Sequence, residues 1–360
     1  MSADDKLIAG RYSFHSNCMD WLRLFAALSI VFDHSIRWFQ LRDDFIYQIL
    51  SHILVFPGLM ILFCMSGFLI SASWERCYGW KDYLWKRFSR LYPGLWVAFV
   101  FSAIVVLIMT NRYGISVSLF NWLKWIFAQL TVFQFYTPPD LKQYGIGNPN
   151  GVLWTIPIEI CMYLFIMLFY GNMKKWRMWG WCLMLVLAVL LNIICQILCG
   201  CLPSLVGKII FVSPLPYMYM FGIGMFVYNF RDYIVPLLCR NFWFIFIAYL
   251  VWIAFNRYVF HFNLGLYIDI FTGVGICFLV MAIAYKFGER KLKNDYSYSI
   301  YLYHEIFINI IVIAGSSGFA QTWIAVGVVY ICTLICAYIS CHVIEMPATR
   351  YLKNRAQMWR

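Results

Sequence analysis

Long apolar runs separated by short polar stretches constrain this chain more than any other feature of its sequence. A bilayer-spanning helix needs about 20 mainly apolar residues, and runs of that length recur along the chain. They cover residues 19–39, 50–73, 91–110, 151–170, 178–199, 212–229, 241–257, 264–285, 298–315 and 322–345. Only 12% of the residues are charged, whereas a typical soluble domain has about 25%. The sequence therefore predicts an all-α polytopic membrane protein with about ten transmembrane helices.

A further apolar run, 119–136, is short and aromatic and carries Lys124. The distribution of basic residues shows whether this run crosses the membrane, because Lys and Arg concentrate in cytoplasmic loops. With ten crossings and a cytoplasmic N-terminus, 20 of the 28 basic residues fall on the cytoplasmic side. A crossing at 119–136 would place the later basic clusters outside, so we interpret this run as an interfacial or re-entrant helix. The same rule explains the net charge of +12 without a nucleic-acid partner.

Three regions are predicted from this pattern. Residues 1–18 form a cytoplasmic N-terminal tail, residues 19–345 form the transmembrane domain, and residues 346–360 form a cytoplasmic C-terminal tail. No cleaved signal sequence is expected, because the first apolar run follows a polar stretch and lacks a small-residue cleavage site.

The first apolar run carries ionisable residues that an ordinary membrane anchor does not need. Arg23 and His34 are eleven positions apart, so they lie on one face of a helix, about 16 Å apart along its axis. An ionisable group at the centre of a span costs about 2.5–3.5 kcal/mol and is a functional candidate by default. Arg23 can also be explained as a snorkelling end residue. His34 lies too deep for that explanation and is the first candidate functional residue.

A second ionisable group lies inside the fourth run. Residues 147–163 lead from a Gly/Pro/Asn turn into a helix in which Pro157 opens the backbone hydrogen bonding. Glu159 then falls within the span, with Tyr163 four residues later on the same face. A buried glutamate needs a partner, and His34 or Arg23 of the first run is the candidate. A purely structural pair between helices is the alternative.

Basic residues gather just ahead of the third run. Arg87 and Arg90 are three positions apart and share a helix face. Guanidinium groups suit bidentate phosphate recognition, so one interpretation is a phosphate clamp at the cytoplasmic mouth. The other is a positively charged anchor for the following span.

A polar stripe opens the ninth run. Ser297, Tyr301 and His304 fall on one helix face, and Glu305 follows directly. A lone intramembrane histidine can be an ordinary hydrogen-bonded core residue. A Ser–Tyr–His stripe is more indicative of a functional surface.

Other features have structural explanations. Ser66 and Gly67 lie in an apolar helix, where small residues let two backbones approach closely. Glu345 and Pro347 stand at the end of the last run and predict a helix stop. The 13 cysteines show no metal-ligand spacing beyond one Cys-x-Cys pair. No metal is therefore expected, and the cysteines are interpreted as small buried hydrophobic residues.

Together these segments resemble the acyltransferase 3 family of integral-membrane acyltransferases, which includes bacterial O-antigen and nodulation-factor acetylases. Six motifs occur in order with the family's spacing, and they extend over nearly the whole chain. They are Arg23 with His34, then Ser66, Gly67 and Phe68, then Arg87, Arg90, Leu91 and Pro93, then Trp154, Thr155, Ile156 and Glu159, then Ser297, Tyr298, Tyr301, Leu302 and His304, and finally Glu345 with Pro347. The chain departs from the pattern at Pro157, where a serine is often seen, and at Glu305.

The resemblance implies an O-acetyltransferase that moves an acyl group, usually acetyl from acetyl-CoA, to a carbohydrate hydroxyl across the membrane. Under this hypothesis His34 is the general base, oriented by Glu159; an acyl-histidine intermediate is the alternative. Arg23, Arg87 and Arg90 would bind acyl-CoA. The candidate substrate-binding residues are Ser66, Trp154, Tyr163, Tyr301 and His304.

The expected partners are acyl-CoA on the cytoplasmic side, a cell-surface or lipid-linked glycan, and the lipid bilayer. The expected location is the bacterial inner membrane, with both termini cytoplasmic. The competing interpretation is a carrier or exporter of a lipid-linked sugar, in which the buried ionisable residues form a substrate or proton relay.

Overall fold

The computed structural model describes residues 17–53, 55–315 and 318–357. Residues 1–16 of the predicted N-terminal tail and 358–360 of the C-terminal tail lie outside the described residues. Within those ranges the chain is helical, with no strand, so the all-α fold class is confirmed. The helices are α1 (Met19–Trp38), α2 (Phe45–Ile53), α3 (Gly58–Glu75), α4 (Trp80–Arg112), α5 (Leu119–Leu130), α6 (Thr155–Phe165), α7 (Met178–Cys201), α8 (Ser204–Phe211), α9 (Met218–Asn229), α10 (Arg231–Arg240), α11 (Phe242–Phe255), α12 (Ile270–Lys286), α13 (Ser297–Ala314), α14 (Trp323–Ser340) and α15 (Met346–Gln357).

Short irregular turns precede or extend several of these helices. A 3-10 turn at Gly151–Trp154 leads into α6, and a π turn at Ile166–Tyr170 extends it towards Gly171–Met173. The remaining 3-10 turns are Pro139–Gln143, Leu215–Tyr217 and Phe319–Gln321, and the remaining π turns are Asn256–Phe260 and Cys341–Glu345.

Seven helical segments among the described residues are long and apolar enough to cross a membrane, judged by length and composition. They are Gly58–Glu75, Trp80–Arg112, Gly151–Met173, Met178–Cys201, Phe242–Phe260, Ser297–Ala314 and Trp323–Leu352. The pair Ser204–Phe211 and Leu215–Asn229, bent by 45°, would make an eighth if it is one broken span. The prediction of a multi-pass membrane protein is therefore supported, but the count of about ten is not confirmed.

Two predicted crossings fall outside this count for physical reasons. Helix α1 is 20 residues long, but it carries four charged side chains, so its composition does not identify it as a span. Helix α12 is apolar but has 17 residues, because Asp269 caps it: its side chain accepts a hydrogen bond from Thr272 N–H at 2.9 Å. The corresponding predicted crossing, 264–285, therefore started six residues before the helix does.

The run at 119–136 contains the short helix α5. Its 12 residues extend about 18 Å, less than the roughly 30 Å of a hydrocarbon core. The Ser118 hydroxyl accepts a hydrogen bond from Asn121 N–H and caps the helix. This length agrees with an interfacial or re-entrant helix rather than a crossing.

The described residues pack as two compact units. The first consists of residues 17–26, 55–77 and 160–295, and the second of residues 27–53, 78–159 and 296–357. Helices α1 and α6 contribute to both units. Each unit has its own core of packed helices.

In the first unit, α3 and α9 lie against each other at their backbones. A Cβ atom at Gly67 would lie 2.1 Å from the Phe221 carbonyl oxygen, and one at Gly224 would lie 2.0 Å from the Cys64 carbonyl oxygen. Only glycine leaves room for such an approach. The packing explanation for Gly67 is thus confirmed.

In the second unit, α4 is longer than the predicted third crossing. It starts at Trp80 instead of residue 91, so Pro93 lies in the helix interior. Proline has no N–H and leaves the carbonyl four residues earlier without its helical donor. That carbonyl belongs to Ser89, and Thr349 Oγ1 donates to it at 3.2 Å. A side chain of α15 therefore compensates for the proline.

The helix stop predicted at Glu345–Pro347 is wrong. The π turn Cys341–Glu345 leads from α14 directly into α15, which continues to Gln357. Pro347 is the second residue after this π turn, where the regular pattern of hydrogen bonds between residues four apart is already interrupted. Its missing donor is consequently tolerated.

Candidate active site

Two histidines from distant helices meet in the second unit. His34 of α1 and His304 of α13 approach through their ring nitrogens, with His34 Nδ1 3.1 Å from His304 Nε2. His304 is completely buried, whereas His34 keeps 21% of its side chain exposed. Of the two rings, only that of His34 is open to a reacting molecule.

The hydrogen bonds around this pair fix which nitrogen holds each proton. His304 Nδ1 lies 3.2 Å from the Ile300 carbonyl oxygen, and a carbonyl only accepts, so His304 Nδ1 carries a proton. In the neutral ring His304 Nε2 is then an acceptor, and His34 Nδ1–H donates to it. The remaining nitrogen, His34 Nε2, holds a free lone pair and is the basic atom of the pair.

Glu305 stands next to the histidine pair. Its Oε1 atom is 3.9 Å from His34 Nδ1, and its Oε2 atom accepts the Val152 N–H at 2.7 Å. A Cβ atom at Gly151 would come within 3.0 Å of Oε2, so the glycine makes room for the carboxyl group. The sequence analysis noted Glu305 as the neighbour of His304 and as a departure from the family pattern, but gave it no role. The signal was present, because it is an acidic residue inside a predicted span beside a candidate histidine.

The loop before α6 forms a wall of this region and is held by Asn309. The Asn309 side-chain oxygen accepts the Ile146 N–H at 2.9 Å, and its amide donates to the carbonyls of Asn148 and Pro149 at 3.0 and 3.1 Å. Asn150 donates in turn to the Leu302 carbonyl at 2.9 Å. Because α13 supplies these partners, the loop is fixed against the helix that carries His304.

Tyr301 also ties α13 to the start of α6. Its hydroxyl donates to the Val152 carbonyl at 2.8 Å and lies 2.8 Å from Thr155 Oγ1. The Tyr301 and His304 rings are 6.0 Å apart at their centres. Trp154, at the end of the same 3-10 turn, is half-buried. The structure thus brings Tyr301, His304 and His34 together.

A second polar cluster surrounds the Tyr298 hydroxyl in the same unit. This hydroxyl donates to the Leu91 carbonyl at 2.8 Å. Arg90, Glu159 and Glu345 all lie close enough to act on it electrostatically. Two predicted residues, Arg90 and Glu159, therefore share one environment.

Glu345 has a larger role in this cluster than a helix end requires. Its Oε1 atom accepts hydrogen bonds from the hydroxyls of Ser299 and Ser340 at 2.7 and 2.8 Å. The carboxyl group also packs against Gly94. Arg87, one turn before Arg90 on α4, is half-buried.

Three of the predicted site residues belong to the first unit. Arg23 forms ion pairs with Asp20 at 2.7 Å and Asp295 at 3.1 Å, so aspartates supply its carboxylate partners. Tyr163 is buried and Ser66 is half-buried. The roles predicted for these three residues, and for those of the second unit, stay predictions.

Comparison with known proteins shows a family and two curated proteins to which this chain is similar. The model of a family described as an acyltransferase domain, Acyl_transf_3, matches residues 16–342. Nodulation protein 10 of Rhizobium leguminosarum bv. viciae is 27% identical over 354 residues, which cover 94% of each chain. An O-acetyl transferase of Shigella phage Sf6 is 22% identical over 304 residues, which cover 80% of this chain and 83% of the relative. No solved structure matches the chain significantly.

Proposed function

The chain belongs to the acyltransferase family Acyl_transf_3, and from this premise we propose that it transfers an acetyl group from acetyl-CoA to a carbohydrate hydroxyl. The observation that carries the proposal is the His34–His304 pair, because it leaves one basic nitrogen at a partly open position. Transfer to oxygen is supported by the phage relative, whose name is O-acetyl transferase.

The reaction needs a base for the acceptor hydroxyl. His34 Nε2 removes the hydroxyl proton while the oxygen attacks the thioester carbonyl carbon. The tetrahedral intermediate then expels the sulfur, which takes the proton from His34. A carbon–oxygen bond replaces the carbon–sulfur bond, and the products are the acetylated sugar and free CoA.

The neighbours of His34 support this step without touching the substrate. His304 Nε2 accepts a hydrogen bond from His34 Nδ1–H, and this bond keeps the lone pair of His34 on its Nε2 atom. When His34 is protonated, the carboxylate of Glu305, 3.9 Å from Nδ1, stabilises the positive ring. His304 and Glu305 are positioning residues in this proposal. Attack by His34 itself, giving an acyl-histidine, is the alternative route.

We assign the binding of the acyl donor, acetyl-CoA, to the basic residues of α4. Arg87 and Arg90 would bind CoA phosphates, for which guanidinium groups are well suited. Arg23 stays a predicted acyl-CoA-binding residue. Its guanidinium group would contact acyl-CoA while it is also paired with Asp20 and Asp295. We place the enzyme in the bacterial inner membrane, with both termini and the CoA site cytoplasmic.

The donor can be tested on the purified protein by thermal unfolding. Acetyl-CoA should raise the melting temperature, and dephospho-CoA should be less effective because it lacks the 3′-phosphate. In an Arg87→Gln/Arg90→Gln variant the two ligands should become equivalent. A sugar carrier has no reason to respond to either ligand, so an unchanged melting temperature would favour that competing function.

The acceptor can be tested in cells that carry the gene, lack it, or carry a His34→Ala version. Mass spectrometry of their surface glycans should find the mass of an acetyl substituent only with the wild-type gene. Membrane levels of both proteins, measured by immunoblot, control for expression. Acetylated glycans in the gene-deleted cells would contradict the proposal.

A further inference from the structure

The connection between α6 and α7 lies at a membrane boundary. One candidate span ends at Met173 and the next begins at Met178, so residues 174–177 mark the place where two spans meet water. Trp176 and Trp179 are 44% and 69% exposed. Tryptophans at such a level are typical of the bilayer interface, where an apolar ring and a polar N–H are both accommodated.

This connection carries cations that nearby acids do not neutralise. Lys174 is paired with Glu75 at 2.6 Å. Lys175 and Arg177 are exposed, and no ion pair within the described part of the chain involves either of them. The sequence has no acidic residue between Glu159 and Asp232. Two positive charges are therefore available at the interface.

An apolar groove lies on α7 directly beside these cations. It has a volume of about 350 Å³, within the range of small-ligand sites, and every residue that lines it is apolar, including Trp176, Leu183 and Met218. Gly180 leaves it open next to the indole, because a Cβ atom there would lie 3.5 Å from the Trp176 Cβ. Only 17% of the residues in the apolar window of α7 are buried, and the lining residues Leu183 and Leu187 are exposed, so the groove opens on the surface that meets lipid.

We propose that this groove binds one anionic phospholipid, with an acyl chain along α7 and the phosphate between Lys175 and Arg177. The charge requires an anion, and the apolar lining of a membrane-facing helix requires a hydrocarbon chain on the same molecule. A basic pocket next to transmembrane helices is a recognised type of lipid headgroup site. The inference does not depend on acyl transfer.

The full chain, purified in detergent, is suited to the test. Thermal unfolding is followed while dioleoylphosphatidylglycerol, dioleoylphosphatidylcholine or inorganic phosphate is added, and native mass spectrometry counts the retained lipids. Phosphatidylglycerol should raise the melting temperature with one lipid retained per chain. Phosphatidylcholine and inorganic phosphate should have little effect.

Matched variants separate the charge from the groove. Removing one cation, in Lys175→Gln or Arg177→Gln, should raise the half-saturating phosphatidylglycerol concentration about fivefold. Gly180→Leu keeps the charges but fills the groove, and it should weaken binding at least as much. Lys208→Gln removes an exposed cation of α8, away from the groove, and should bind like the wild type.

Three results would overturn the proposal. They are equal stabilisation by both phospholipids, unchanged binding in the Gly180→Leu, Lys175→Gln and Arg177→Gln variants, or an equal loss in Lys208→Gln. Since all the substituted side chains are exposed or absent in the wild type, size-exclusion chromatography should show each variant folded. A misfolded Gly180→Leu variant is replaced by Gly180→Ala, for which a smaller loss is expected.

Discussion

His34 and His304 are 270 positions apart in sequence, yet their ring nitrogens lie 3.1 Å apart. In this hydrogen bond His34 Nδ1–H is the donor and His304 Nε2 is the acceptor, because the other nitrogen of His304 carries the proton that it donates to the Ile300 carbonyl. The free lone pair of His34 is therefore set by the fold before any substrate binds. A preset tautomer is what a general base requires.

Replacing His34 with alanine should abolish acyl transfer without unfolding the protein. General-base catalysis contributes about 10²–10⁴-fold, so the turnover rate should fall by at least two orders of magnitude. His261→Asn is the matched control, because His261 is exposed and its positive φ of 49° is tolerated by asparagine. Turnover is measured as CoA release with the acceptor present. Full activity in His34→Ala would remove this residue from the mechanism.

Substitutions of His304 should affect the turnover rate more than substrate binding. In His304→Leu the His34 Nδ1–H loses its acceptor and the tautomer is no longer fixed. The turnover rate should fall about 10–100-fold, by analogy with the loss of a group that orients a metal-binding histidine, while both KM values stay near wild type. In His304→Gln an amide oxygen can replace Nε2 as the acceptor, so part of the rate should return. Equal losses in the two variants would indicate a purely structural role.

Glu305→Gln tests the charge beside His34 with little change of shape. The amide oxygen can still accept the Val152 N–H, a bond of 2.7 Å in the wild type, but the negative charge is lost. The turnover rate should fall at least about tenfold, since opposite charges about 4 Å apart attract by a few kcal/mol in a partly buried site. The melting temperature should change by only a few degrees. A wild-type rate would exclude an electrostatic role for this carboxyl group.

The sequence predicted the fold class better than the ends of its elements. Apolar length identifies a span, and α1 nearly matches the predicted run 19–39. The start of α4 was missed because residues 80–90 are polar yet helical, so hydropathy does not mark where that helix begins. The end of α14 was missed because a π turn, which depends on local packing, carries the chain past Pro347.

The candidate site was predictable as a set of residues but not as a set of pairs. His34 and His304 were both identified, since an ionisable residue in a span is costly. Their bond was not, because it joins two helices far apart in sequence and periodicity describes one helix at a time. Glu159 was expected beside His34 or Arg23. The partners described for His34 are instead His304 and Glu305.

Asn309 should be essential for the loop that precedes α6. Asn309→Ala removes three hydrogen bonds to the backbone of residues 146, 148 and 149. Each buried backbone group left without a partner costs about 1–3 kcal/mol, so the melting temperature should drop clearly. Asn309→Asp keeps the acceptor for Ile146 but turns an oxygen towards the carbonyls of Asn148 and Pro149 in a buried site, so it should be no more stable than the alanine variant. An unchanged melting temperature in the alanine variant would mean that the loop is held by other contacts.

Gly67→Ala should destabilise the first unit by overpacking. Its Cβ atom would lie 2.1 Å from the Phe221 carbonyl oxygen, so α3 and α9 would have to separate, at a cost of about 1–3 kcal/mol or more. Gly171→Ala is the control, because nothing lies within 4 Å of a Cβ atom there, and reduced freedom of the unfolded chain should stabilise the protein by about 0.4–1 kcal/mol. Denaturant unfolding in detergent measures both changes. Equal stability of the two variants would contradict the close approach of these helices.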